Sequence, residues 1–357
     1  MTGNYYINGI GIISPQRTWL NNEFLPEITE YHHNVLTCVV PDFKEYFTPM
    51  QLRRLSRMLR IGASAAMICV KDGGNAPVHN LITATGYGFL RDTARFLNEM
   101  LEQQEEDVTP TFFMQSTYNA LAGLVALTFK SQGYNSNHVS RGWAFEAALH
   151  DAMMQLDKKE KDHFLIGAYD EADDTMYKIN SREGHYKKEH ISNSKLFDQP
   201  SGGTIQGEGA AFFLLSNQPT EQLWCLLKGV KMIFKPENSD ELSGALVKFL
   251  SEYNLEKKEI DVLINGVSGD YENDRLLRAL VTDSFKRIPE VRFKHLCGEY
   301  TTAAAFGLWL GAAVLRHQRI PSVTQFNSVS FTSPIKNILL VNQYMGVNYS
   351  LMLLQKL

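Results

Sequence analysis

HVSRGWAFEAALHDAM (His138–Met153), followed closely by HFLIGAYDEA (His163–Ala172), is the stretch that decides the fold. His138 to Trp143 reads as a short strand, Glu146 to Leu156 as a helix, and His163 to Ala168 as an apolar run of buried-strand length. Strand, turn, helix and strand in immediate succession mark a layered α/β protein, because a helix joining two strands returns across the face of their sheet.

Reading outward supplies more of the same elements. Before the stretch come a strand over Tyr5–Ile13, a helix over Pro49–Asp72, a strand over Leu81–Phe89, a polar helix ending before Pro110, and a small-residue helix over Thr117–Lys130. The outer face of the Pro49–Asp72 helix carries Arg53, Arg54, Arg57 and Arg60, which read as a solvated face. After the stretch come strands over Ala210–Leu215 and Trp224–Phe234, a helix over Ser239–Tyr253, a strand over Ile260–Asn265, helices over Asp274–Phe285 and Thr301–Val314, and closing strands over Ile338–Val341 and Asn348–Leu354. No sequence repeat links the halves, yet their matching element content predicts a pseudo-duplicated fold, with residues 1–215 and 216–357 as halves of one compact unit.

Composition excludes several classes of function. A chain of 357 residues, 44% hydrophobic, can bury a large core, and its net charge of −4 with scattered Lys and Arg gives no field for nucleic acid. The four cysteines, Cys38, Cys69, Cys225 and Cys297, form no CxxC pair, which argues against a zinc site or a disulfide framework and fits the cytoplasm. No basic leader with an apolar core opens the sequence, and no run approaches the roughly 18 apolar residues of a membrane span. The glycine-rich run Gly202–Gly209 fits neither phosphate-binding pattern, so no cofactor and no metal are expected.

Segments in order along the chain resemble the β-ketoacyl synthases, the condensing enzymes of fatty-acid and polyketide assembly. Pro110, Asn119, Ala122 and Gly123 resemble the family's proline, asparagine and small-residue helix at the dimer interface, and Gly133 and Asn135 its Gly-x-Asn turn. His138–Met153 resembles the strand, nucleophile elbow and helix. Phe197, Asp198 and Gly207–Ala210 resemble the Phe-Asp to Gly-Glu-Gly-Ala segment, and Gly346 and Asn348 the C-terminal glycine loop. The resemblance implies a thiolase-like five-layered αβαβα fold, and a dimer whose interface holds Asn119, Asn135, His138, Ser140 and Arg141.

The catalytic residues of that family are a cysteine and two histidines, and none is found at the matching anchors. Counting back from Ala152 puts the nucleophile position at Gly142; matching Asn273-Asp274 puts the first histidine position at Gly266, beside Asn265; Lys294 and Gly298 are kept, but the second histidine position holds Glu299. Glycine cannot carry a thioester, and a carboxylate opposes the negative charge that a histidine would stabilise. Cys297 reads as a buried structural thiol. Ser140, His138 and Glu146 do not read as a triad, because alternate strand residues face opposite ways, and Arg141 and Glu146 read as polar contacts filling a former tunnel. Asn265, Tyr344, Met345 and Gly346 are the substrate or tunnel candidates.

Within the family, members lacking these residues resemble chain-length factors. The implied function is a partner of an active ketosynthase, as a heterodimer, or else a homodimer, working with an acyl carrier protein in bacterial polyene, aryl polyene, polyketide or fatty-acid-type biosynthesis. Two alternatives stand beside it: an acyl-thioester or malonyl-carrier decarboxylase or hydrolase using Glu299 and Asn265, and a scaffold that binds carrier protein through the Arg53–Arg60 face.

Overall fold

The computed structural model describes residues 3–106, 108–158, 162–198, 201–331 and 334–357. Its strands are β1 (Tyr5–Ile13), β2 (Asn80–Thr85), β3 (Asn135–Val139), β4 (His163–Asp170), β5 (Gly209–Ser216), β6 (Cys225–Phe234), β7 (Val262–Gly266), β8 (Glu290–Arg292), β9 (Asn337–Tyr344) and β10 (Asn348–Gln355). Its helices are α1 (Pro49–Arg54), α2 (Arg57–Asp72), α3 (Leu90–Glu102), α4 (Pro110–Ser116), α5 (Ala120–Phe129), α6 (Ala144–Leu156), α7 (Asp174–Arg182), α8 (Ser239–Ser251), α9 (Arg275–Ser284), α10 (Lys294–Cys297) and α11 (Ala304–His317).

The strands run in the order β3-β2-β4-β5-β1-β6-β10-β9-β7-β8. Numbered within its own half, each set of five follows the order third, second, fourth, fifth, first. The senses match too. β3–β2 and β2–β4 are parallel with β4–β5 and β5–β1 antiparallel, and the same pattern recurs from β8–β7 through β10–β6. The halves meet where Tyr5–Ile7 pairs antiparallel with Cys225–Leu227. The duplication lies in topology and strand sense, which many sequences satisfy, and so leaves no repeat in the residues.

Layering follows from which faces are apolar. α2 and α5 cover the outer face of the first half and α8 lies with α9 over the outer face of the second. α6 packs on β2 and β4 but also on β6, while α11 packs on β9, β10 and β7 but also on β1 and β5, so both lie between the halves. Every residue of α11 from Ala304 to Leu315 is buried, as an apolar-all-round helix must be. Glycines set the spacing in β1: a Cβ at Gly11 would lie 2.1 Å from the carbonyl oxygen of Ala65, so only glycine lets α2 approach this closely.

Three sequence expectations need correction. The Pro49–Asp72 helix is broken at Leu55–Ser56, both extended, and Gln115 meets the freed backbone by accepting from the Ser56 N–H and donating to the Arg54 carbonyl. The strand expected over His138–Trp143 stops at Val139, and Arg141 turns the chain with a left-handed φ of 49° into the 3-10 turn Arg141–Trp143. The Arg53–Arg60 set is not wholly solvated, because Arg57 reaches the buried Glu208. α4, α7, α10 and β8 were not foreseen. The signal for α7 was legible: Asp173 caps it by accepting from the N–H groups of Thr175 and Met176.

Candidate functional site

The strand-to-helix elbow is the first anchor. Gly142 is buried, and a Cβ placed on it would lie 2.6 Å from Cδ1 and 2.9 Å from Cβ of Tyr344. Tyr344, at the end of β9, thus occupies the space into which any side chain at residue 142 would project. The left-handed turn belongs to the exposed Arg141, whose guanidinium lies 5.8 Å from the Tyr87 ring centre. Of the polar contacts expected of Arg141 and Glu146, Glu146 makes one, its Oε1 accepting from the Ser350 hydroxyl at 2.7 Å while its Oε2 has no partner. His138 lies 3.0 Å from Asp151 Oδ2, which also accepts from the Tyr134 hydroxyl at 2.9 Å, so no triad forms with Ser140.

The second anchor lies at the end of β7. A Cβ on Gly266 would fall 2.3 Å from Asn342 Oδ1 and 2.8 Å from the Asn342 Cα. Asn265 points into a different buried cluster, donating to Glu290 Oε1 at 2.8 Å, which also accepts from Arg292 Nε at 2.7 Å. It is absent from the lining of the cavity beside Glu299.

At the third anchor, Lys294 opens α10 and Gly298 turns the chain at φ 73°, setting Glu299 back over the lysine. Lys294 Nζ donates to Glu299 Oε2 at 2.7 Å and to the Gln343 carbonyl at 2.6 Å, with its side chain wholly buried. Burial, foremost, pushes the Glu299 carboxyl up to about 7 despite that lysine, and its Oε1 has no partner. Burial likewise raises the Cys297 thiol well above its ordinary value, and its Sγ donates to the Gly298 carbonyl, the behaviour of a structural thiol.

The third anchor borders a cavity of about 60 Å³ lined by Glu299, Tyr87, Tyr186, Tyr344, Met345 and Gln206, among others; Gly142 and Gly266 are not part of its lining. Tyr344 and Met345, two sequence candidates, line it; Gly346 borders a separate open groove with Lys235 and Arg275. Asp170 holds the walls together. It accepts from the hydroxyls of Thr85, Thr301 and Thr302 and from the N–H groups of Gly86 and Thr302, linking the ends of β2 and β4 to the loop after Glu299.

Glu146, in the layer between the halves, makes this region sensitive to pH. Burial pushes its carboxyl from near 4.5 to about 7. The stability it allows is fully present below the unfolded value and falls as pH rises towards 7, by at most about 3 kcal/mol. Glu146→Gln is expected to unfold about 1–3 kcal/mol harder than the unmodified chain at pH 8, with the difference shrinking by pH 5, read by urea denaturation at both pH values.

β3 is an edge strand, at the opposite end of the sheet from β8, and among the described residues it pairs with β2 alone, which leaves its outer edge open in the single chain. Of the expected interface residues, Asn119, Asn135, Ser140 and Arg141 are exposed and His138 is partly buried. Val139 on β3, Tyr118 before α5, and Phe113 and Met114 on α4 add exposed apolar surface. An open edge beside apolar side chains is a template for another chain.

Sequence reasoning missed Tyr87, Tyr186 and Gln206, which carry no motif, and the pairing of Arg57 with Glu208. The glutamate lay inside a matched Gly-Glu-Gly-Ala segment, but its partner 151 positions away could not be read from spacing.

The sequence model described as "Beta-ketoacyl synthase, N-terminal domain" matches residues 38–191. No curated protein matches the chain by sequence. Among solved structures, "The ishigamide ketosynthase/chain length factor" superposes with a TM-score of 0.81 at 16% identity, covering 100% of both chains. A type II polyketide acyl-carrier protein in complex with its ketosynthase bound to the hexaketide gives 0.75 at 14% identity, with 100% of both chains covered. A β-ketoacyl synthase from Burkholderia phymatum STM815 gives 0.75 at 15% identity over 99% of this chain and 100% of that one. At these identities the superpositions show a shared thiolase-like fold over the full chain.

Proposed function

We propose, from the premise that this chain belongs to the β-ketoacyl synthase family, that it is a subunit without condensing activity of its own, acting as a chain-length-factor-type partner of an active ketosynthase that receives substrate from an acyl carrier protein. One observation carries the reading: the three family anchors hold Gly142, Gly266 and a lysine-paired Glu299, and a side chain at either glycine would collide with a neighbour, Tyr344 at the first and Asn342 at the second. The open edge of β3, flanked by Val139 and Tyr118, supports a partner, and a solved relative in fold is described as a ketosynthase/chain length factor.

Co-expression with candidate ketosynthases encoded nearby tests it. A stable one-to-one complex that condenses acyl groups is expected; a homodimer that ignores every such partner would count heavily against it. Val139→Asp with Tyr118→Asp is expected to weaken the complex by 100-fold or more in titration, roughly the effect of two central contacts, while leaving the isolated chain folded because both side chains are exposed.

Glu299 favours a second reading, an acyl-thioester or malonyl-carrier decarboxylase or hydrolase, since a carboxyl pushed up to about 7 suits a general base. The lining argues against it: Asp170, Glu171 and Glu299 face the same small space, which repels a malonyl carboxylate. Incubation with malonyl-carrier protein is expected to release neither acetyl-carrier nor free acid; release that disappears in Glu299→Ala would favour this second reading.

A further inference from the structure

The helical hairpin of α3 and α4 stands outside the cores of the molecule. Among the described residues, no apolar side chain from Leu90 to Ser116 belongs to any of the four hydrophobic clusters. α3 packs chiefly on α4 and α4 on α5, with the Phe96 and Phe113 rings 5.3 Å apart and the Arg95 guanidinium 5.7 Å from the Phe112 ring centre. Polar anchors sit at its base. The Arg91 N–H donates to Glu171 and its guanidinium to the Ala172 carbonyl, while Gln115 binds the backbone at Arg54 and Ser56.

Above that base the hairpin is bare. Asp92 is the one buried residue of α3, and α4 has none. Leu97 and Leu101, one turn apart on α3, are 51% and 78% exposed, and Phe113 and Met114 on α4 are 55% and 60% exposed. An amphipathic helix owes most of its stability to the surface its apolar face meets, and two short helices that meet chiefly each other are marginal in water. The position of the hairpin names its cover. Tyr118 and Asn119 join α4 to α5, which packs on β2 and β3. Tyr118 also packs against Gly88 just past β2, whose last residue, Thr85, pairs with Val139 of β3. A chain that adds to the open edge of β3 therefore lies beside the hairpin. A lipid surface does not suit, because Glu99, Glu102, Glu105 and Glu106 gather at the far end and repel anionic headgroups.

We propose, on the basis of the partnership above, that the α3–α4 hairpin is an arm that closes over the ketosynthase docked on β3, which offers an apolar seat to Leu97, Leu101 and Met114, and that the arm becomes fixed in that complex. In the free chain its helices open and close without disturbing the cores, since they bury nothing there.

Hydrogen exchange read by mass spectrometry on the full chain, free and in complex, tests the arm. In the free chain the amides of residues 91–102 and 111–116 are expected to exchange about 100-fold or more faster than those of α11, and binding is expected to slow them about 10-fold or more. Leu97→Asp with Leu101→Asp is expected to weaken the complex about 100-fold in titration, and to leave the thermal midpoint of the free chain within about 2 °C because both side chains are exposed. A complex that leaves the arm's exchange unchanged, or that tolerates the double variant, would overturn the arm and leave the partnership standing. Absence of a complex with every candidate ketosynthase overturns both. Protection that rises with the concentration of the free chain and is lost in the double variant would put a second copy on the arm, and so overturn the ketosynthase as its occupant.

Discussion

Arg57→Ala is expected to lower the free energy of unfolding by about 3–5 kcal/mol, the cost of leaving a buried charge without its partner. Arg57 opens α2 and sends both terminal guanidinium nitrogens to Glu208, at 2.9 and 2.5 Å. The Glu208 carboxylate is fully buried, and its remaining donors are the N–H groups of Cys38 at 2.7 Å and Ala172 at 3.2 Å. Four segments far apart in the chain therefore meet on one carboxylate. Removing the cation leaves two neutral donors to stabilise a charge in the interior, whereas truncating the exposed Arg53 nearby should cost no more than about 0.5 kcal/mol. Arg57→Lys should fall between them, since a lysine cannot make the two-pronged contact. Urea denaturation of the three variants decides it. A loss for Arg57→Ala as small as that for Arg53→Ala would mean that water replaces the guanidinium.

The same pair shows why a sequence reveals some of this protein and conceals the rest. Strands such as His163–Ala168 and the small-residue helix before Val314 were legible because burial dictates their pattern residue by residue. The order of the sheet was legible only as an expectation of matched halves, since strand order depends on crossovers that no local pattern encodes. Arg57 read as solvated because three neighbouring arginines share its face, and nothing local says which of four guanidiniums finds an anion. The elbow failed differently. His138–Trp143 has the composition of a strand throughout, but the chain must reverse into α6, and Arg141 absorbs that reversal with a backbone conformation that composition does not favour. The cavity was the least legible feature: Tyr87, Tyr186 and Gln206 come from three separate loops and acquire meaning only beside Glu299.

Reinstalling the family's residues should not restore condensation. The triple change Gly142→Cys, Gly266→His and Glu299→His is expected to show no turnover of acyl- and malonyl-carrier substrates above background, and each glycine replacement alone to cost about 1–3 kcal/mol or more through overpacking. At Gly266 the obstruction includes the Cα of Asn342, so backbone has to move, whereas at Gly142 it is the Tyr344 side chain, which a rotation could relieve. The asymmetry makes the prediction sharp. Gly142→Cys with Tyr344→Ala should fold and present a thiol that iodoacetamide labels; Gly142→Cys alone should be labelled far more slowly, against a low background because the four native cysteines are buried. Arg141→Cys should be labelled fastest of all, being exposed at the left-handed turn. If Gly142→Cys reacts as fast as Arg141→Cys with Tyr344 in place, the side chain at residue 142 has a path that the tyrosine does not close. The proposed lack of condensing activity would then rest on the absent thiol and imidazoles alone, and no longer on a site that has filled in around their absence.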